Sequence, residues 1–200
     1  MNEATLCLGL VWLSLLAFAR AAAAAEWEAT EIVKPYAVSG TTGIELYESI
    51  GQRGPKSGER RTIAHTTFDL KWRRNYEPQA DGSCKLVSAT PFLTITYTWP
   101  KGPANLTEPT RSRWNTFVEG IQKHERVHGD IIKQLVDRIL ATTVGVTVEN
   151  DSNCKKIRDV IQAPLKAASD AHLTASRDFD KVEMGDGGNV HRLILGLVNP

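Results

Sequence analysis

Residues His124-Glu125-Arg126-Val127-His128 spell HExxH inside a segment whose apolar residues recur at helical spacing. Trp114, Phe117, Ile121, His124, His128, Ile131, Leu135 and Ile139 follow steps of three, four or seven, which is one face of a helix. Glu119, Lys123, Arg126, Lys133 and Asp137 make up the opposite, solvated face. On such a helix two histidines four apart project from the same side, so both imidazoles can reach one zinc ion while Glu125 stands beside them as a general base. A lone histidine on an apolar face is more often a hydrogen-bonded core residue. Two at this spacing with a glutamate between them point to metal binding, and HExxH leaves a third protein ligand to be found elsewhere.

The chain has 200 residues, 42% hydrophobic and 24% charged, which is enough for one compact domain at 26–200 with its own core. A formal charge of +1 argues against nucleic acid as the main partner, and the pairs Arg60-Arg61 and Arg73-Arg74 read as exposed charge. The run LCLGLVWLSLLAFA at residues 6–19 is shorter than the roughly 20 residues of a spanning helix, and the alanines at 21–25 offer an A-x-A cleavage site. Residues 1–25 therefore read as a signal peptide. They predict a secreted or periplasmic protein with no stable membrane span after cleavage, the alternative being an uncleaved anchor that includes the alanines. Cys7 would leave with the signal, and the remaining pair in an oxidising compartment, Cys84 and Cys154, is expected to form one disulfide rather than two buried thiols.

Strand-like segments precede helical ones. Glu31–Val38, Ile44–Tyr47, Arg61–Trp72, Lys85–Ala89 and Phe92–Trp99 read as strands, with Gly51–Gly58 as a surface loop. After the loop Pro100–Thr110, Ser112 is the expected N-cap of the HExxH helix and Gly145 lies past its end. A second helical stretch, Ile157–Phe179, is expected to break near Pro164. This order predicts an α+β fold: an N-terminal, mainly antiparallel β region followed by a helical HExxH region. Phe92–Trp99 is the candidate edge strand for holding an extended peptide.

Tyr36-Ala37-Val38-Ser39-Gly40, the strand around Thr67–Trp72, Cys84, Trp114-Asn115-Thr116-Phe117 and the HExxH together resemble a bacterial family of predicted secreted zinc-dependent proteases, catalogued as a domain of unknown function. The resemblance spans nearly all of the mature chain and implies a zincin-like metallopeptidase binding one zinc ion and acting on peptide or protein substrates. The family's C-terminal pattern is an aromatic-Asp pair followed by Thr-x-His-Gly, whose histidine is a natural third ligand. Here Phe179-Asp180 keeps the pair, and Asp186-Gly187 stands where the His-Gly would be. Asp186 is accordingly the first candidate for third ligand and Asp180 the second, with His172, Glu183 and His191 behind them. His65, Tyr76, Tyr97, His172 and His191 are the candidate donors to a transition state. A rival reading is a non-catalytic, secreted envelope-binding module that keeps a degenerate metal site.

Overall fold

The computed structural model describes residues 27–199, so the expected signal peptide at 1–25 lies outside the described residues. Its elements are β1 (Thr30–Val33), β2 (Tyr36–Ala37), α1 (Gly43–Arg53), β3 (Lys56–Ser57), β4 (Arg60–Arg61), β5 (His65–Pro78), β6 (Cys84–Thr98), β7 (Pro100–Lys101), α2 (Thr110–Thr143), β8 (Thr147–Val148), α3 (Lys156–Val160), α4 (Gln162–Met184) and α5 (Asn189–Val198). The class is α+β, with strands concentrated before α2 and helices after it.

The sheet is built on one long antiparallel ladder between β5 and β6, joined through the turn around Gly82. Thr66, Leu70, Trp72 and Tyr76 of β5 turn partly inward, while Thr67, Asp69, Lys71 and Arg73 face solvent, the period-two pattern expected of a strand covered on one side. β1 adds to the other side of β6 in parallel, pairing Thr30 with Thr94 and Val33 with Tyr97. The order is therefore β1-β6-β5. Two expected strands, Lys85–Ala89 and Phe92–Trp99, are one continuous strand. Pro91 fits inside it because the second side of β6 is taken by β8 only at Cys84–Lys85 and by β1 only at Thr94–Tyr97, which leaves Pro91 at a local edge.

Ile44–Tyr47, expected as a strand, lies in helix α1. Thr42 caps that helix: its hydroxyl accepts from the Glu45 N–H, and the Glu45 carboxylate accepts in return from the Thr42 N–H, a reciprocal pair that fixes the helix start. The first residues of the expected loop, Gly51–Arg53, close the same helix. Glu31–Val38 is likewise two short strands, separated at Lys34-Pro35.

The HExxH helix α2 is the spine of the molecule, packing on the sheet, α1, α4 and α5. It begins three residues earlier than a cap at Ser112 predicts. Pro109 occupies the cap position, and the Ser112 N–H donates to the Glu108 carboxylate instead of Ser112 serving as the cap. The helix ends at Thr143, and Gly145 follows with φ +90°, a left-handed turn that suits glycine. Trp114, Phe117, Ile121, Ile132 and Val136 of α2 meet Leu46 and Ile50 of α1, Leu93, Ile95 and Tyr97 of β6, and Val190 and Leu197 of α5 in the main core. A smaller core forms around Leu86, Ile157 and Ile161 and encloses the Cys84–Cys154 disulfide. The expected break near Pro164 falls instead at Ile161, between α3 and α4. Pro164 then sits in the first turn of α4, where its missing N–H has no helical partner to lose.

Candidate metal centre

The four-residue spacing on α2 brings the Nε2 atoms of His124 and His128 to within 3.1 Å of each other. Helix α4 runs antiparallel across them and delivers Asp180, whose Oδ1 lies 2.9 Å from His128 Nε2 and 3.2 Å from His124 Nε2. Three atoms that can each offer a lone pair thus face one point. Donors held tetrahedrally at about 2.0–2.1 Å from zinc stand roughly 3.3 Å apart, close to the three separations seen here. The donor set, two imidazoles and one carboxylate, is also a zinc set with a fourth position left for water or substrate. The residues fit the ion.

The surroundings hold these groups in place. His128 Nδ1 meets Ser176 Oγ at 2.8 Å, one turn before Asp180 on α4. Phe179 stacks on the His124 ring, with centroids 4.7 Å apart and planes 23° from parallel. Burial pushes the Asp180 carboxyl up, but the hydrogen bonds and charges of His124 and His128 outweigh it and leave the group well below the usual carboxylate range. For His128, burial favours the neutral ring, yet the hydrogen bond and charge of Asp180 win and raise it above the ordinary histidine value.

Glu125 is buried beside the pair. The Thr66 hydroxyl of β5 donates to its Oε2 at 2.5 Å and also lies 3.2 Å from the Glu125 main-chain carbonyl, which pins the strand to the helix at this point. Burial raises the Glu125 carboxyl above its ordinary value, with the Thr66 hydrogen bond and the neighbouring imidazoles opposing it. Thr66 appears in the sequence only as one residue of an alternating strand, and no local motif marks it.

Glu125, both histidines and Asp180 line one open cavity of about 240 Å³, walled by His65, Thr66 and Phe68 of β5, Ile132 of α2, and His172 and Met184 of α4. Of the five candidate donors, His65 and His172 are in this wall. His172 rests edge-on against Phe68, with centroids 5.7 Å apart, and burial followed by the charge of His128 holds it below the ordinary histidine value. Tyr76 packs instead beside the disulfide, Tyr97 is buried against Trp99, and His191 accepts from the Gly187 N–H.

The carboxylate that meets the imidazoles is Asp180, the second candidate. Asp186, the first, is exposed in the glycine-rich turn after α4. The difference lies in the length of α4, which continues to Met184 and so keeps Asp180 on the face that covers His124 and His128. Among the described residues, His124, His128 and Asp180 form the one group of three potential ligands that converge.

The model of a family described as "Bacterial protein of unknown function (DUF922)" matches residues 33–188, a span that includes all of these groups. No curated protein and no solved structure matches the chain.

Proposed function

We propose that this chain, which belongs to the DUF922 family of bacterial proteins, is an exported zinc-dependent peptidase with a zincin-like site. The observation that carries the reading is the convergence of His124 Nε2, His128 Nε2 and Asp180 Oδ1 on one point, in the same cavity as a buried Glu125. The chemistry that zinc supplies when bound is Lewis acidity, which acidifies water and polarises a carbonyl.

The protein's own groups do the rest. His124, His128 and Asp180 supply the ligand atoms, and the single negative charge of Asp180 leaves the site electrophilic. Glu125 takes a proton from the attacking water and returns it to the departing amine. One group thus serves in turn as base and as acid. Thr66 fixes the orientation of that carboxylate. His65 and His172 are the N–H donors that the cavity wall offers to the developing oxyanion.

An extended substrate has a natural seat on β5. Phe92–Trp99, expected as the edge, falls in β6 up to Thr98, and its Thr94–Tyr97 stretch is interior, flanked by β1 and β5. In the order β1-β6-β5 the outer strands are β1 and β5, and it is β5 whose residues His65, Thr66 and Phe68 line the cavity. Main-chain hydrogen bonding along that strand would hold a peptide across the site. The Cys84–Cys154 disulfide supports export to an oxidising compartment.

Glu125→Gln tests the mechanism, because the amide cannot accept the proton while the metal ligands remain. Zinc content should stay at one per chain, and hydrolysis of a quenched-fluorescence peptide library should fall by about 10²–10⁴-fold. Hydrolysis at the parental rate would refute the role of Glu125. A parent that binds zinc and cleaves nothing in the library would favour the non-catalytic binding module.

A further inference from the structure

His124 presents a specific demand. Its side chain is 2% exposed, its Nε2 faces the ligand triangle, and its Nδ1 is buried without a hydrogen-bond partner. A histidine that gives its Nε2 lone pair to a metal must carry its proton on Nδ1, and such ligands almost always donate that proton to a carboxylate, a carbonyl or water. For His128 the partner is present as Ser176. For His124 the nearest carboxylate oxygen is Glu183 Oε2, at 3.7 Å from Nδ1. That is about 0.5 Å longer than a hydrogen bond and within the reach of a small side-chain rotation.

Glu183 is placed for this task. It lies three residues after Asp180 on α4, so it shares the face that covers α2, and its side chain is 19% exposed. The same Oε2 accepts from Asn189 Nδ2 at 3.2 Å, at the start of α5. Phe179, stacked on the ring of His124, fixes the plane of the imidazole but supplies no acceptor. Glu183 stands at Nδ1, on the edge of the ring away from the point that Nε2 faces. This placement makes it a poor metal ligand, the role offered for it among the sequence alternatives.

We infer that Glu183, held by Asn189, is the positioning residue for His124: it accepts the Nδ1 proton in the metal-loaded protein, fixing the tautomer and strengthening Nε2 as a ligand. The inference rests on the proposed zinc site. It adds a role for the start of α5, which secures through Asn189 a carboxylate that acts on α2.

Zinc affinity measured by competition with a chromophoric chelator tests it in the parent, Glu183→Gln and Glu183→Leu. Glu183→Leu should weaken zinc binding by about 10–100-fold. Glu183→Gln should lose less, because its amide oxygen still accepts the proton. Zinc binding by Glu183→Leu within twofold of the parent would overturn the inference. A second reading needs no variant: in the zinc-loaded, ¹⁵N-histidine-labelled parent, the His124 Nδ1 proton should be shifted downfield and protected from exchange. A rapidly exchanging Nδ1 proton would overturn the assignment even if Glu183→Leu failed to fold. A parent that takes up no zinc would overturn the peptidase reading and this inference together, whereas zinc in the parent with parental affinity in Glu183→Leu would overturn the inference alone.

Discussion

Asp180 is the one carboxylate of the converging triad, and burial would raise its carboxyl were the two imidazoles not opposing it. Replacing it should therefore cost more than replacing a neighbour that merely orients a ligand. Asp180→Ala should weaken zinc binding by more than the roughly 10–100-fold typical of an orienting partner, while Asp186→Ala, which alters an exposed turn, should leave it at the parental value. Chelator competition on both variants measures this, and equal effects would remove Asp180 from the site. His124, Glu125 and His128 were legible because their relation is local: four residues on one helix fix which way two side chains point. The rank of Asp180 over Asp186 was not, since it depends on where α4 ends and how it lies across α2, neither of which a short window contains. Thr66 was hidden for the same reason, being 59 residues from the glutamate it binds.

Helix α2 passes the sheet so closely that Gly129, the residue after the motif, has no room for a side chain: a Cβ there would lie 2.0 Å from the Tyr97 hydroxyl oxygen. Tyr97 is buried in the core and has little freedom to retreat. Gly129→Ala should consequently destabilise the fold by about 1–3 kcal/mol despite alanine's better helix propensity, read as a lowered midpoint in urea. A stabilised variant would contradict this packing. Helix α3 depends on Asp151, whose burial opposes ionisation but whose carboxylate accepts from the N–H groups of Lys155, Lys156 and Ile157 and is held below the usual carboxylate range. A group depressed in this way contributes stability above its unfolded value of about 4, and the contribution is lost as pH falls through the lower folded value. Amide protection factors in α3, corrected for the intrinsic exchange rate at each pH, should accordingly fall on acidification below about pH 4, and an Asp151→Asn variant should lack that step. The β5 alternation and the α2 periodicity are plain, but the apolar residues of Ile44–Tyr47, which suit a strand, mask the helix start that the Thr42-x-x-Glu45 capping box marks. The lesson is physical: four apolar-rich residues suit either structure, and the cap decides.

Across the whole molecule, the sheet provides one wall of the cavity, α2 the floor and α4 the covering carboxylate, so the site exists only when distant segments have assembled. The disulfide joins the start of β6 to the segment before α3, 70 residues apart. By loop length it should stabilise the fold by about 4 kcal/mol, so reduction should lower the thermal midpoint by roughly 10 °C. Non-reducing peptide mapping of exported protein should show Cys84 joined to Cys154. The α+β class was readable from the order of strands and helices, whereas the interior position of β6 was not, because the parallel addition of β1 is a long-range pairing with no local signature. No helix among the described residues is long and apolar enough to cross a membrane, and the proposed export rests on residues 1–25 and the disulfide. Anomalous diffraction at the zinc edge, from crystals of the exported protein purified without added metal, addresses the metal centre itself. One peak should appear about 2.0–2.2 Å from His124 Nε2, His128 Nε2 and Asp180 Oδ1 together; a zinc-replete crystal with no peak there, or with a peak bound by other residues, would contradict the site.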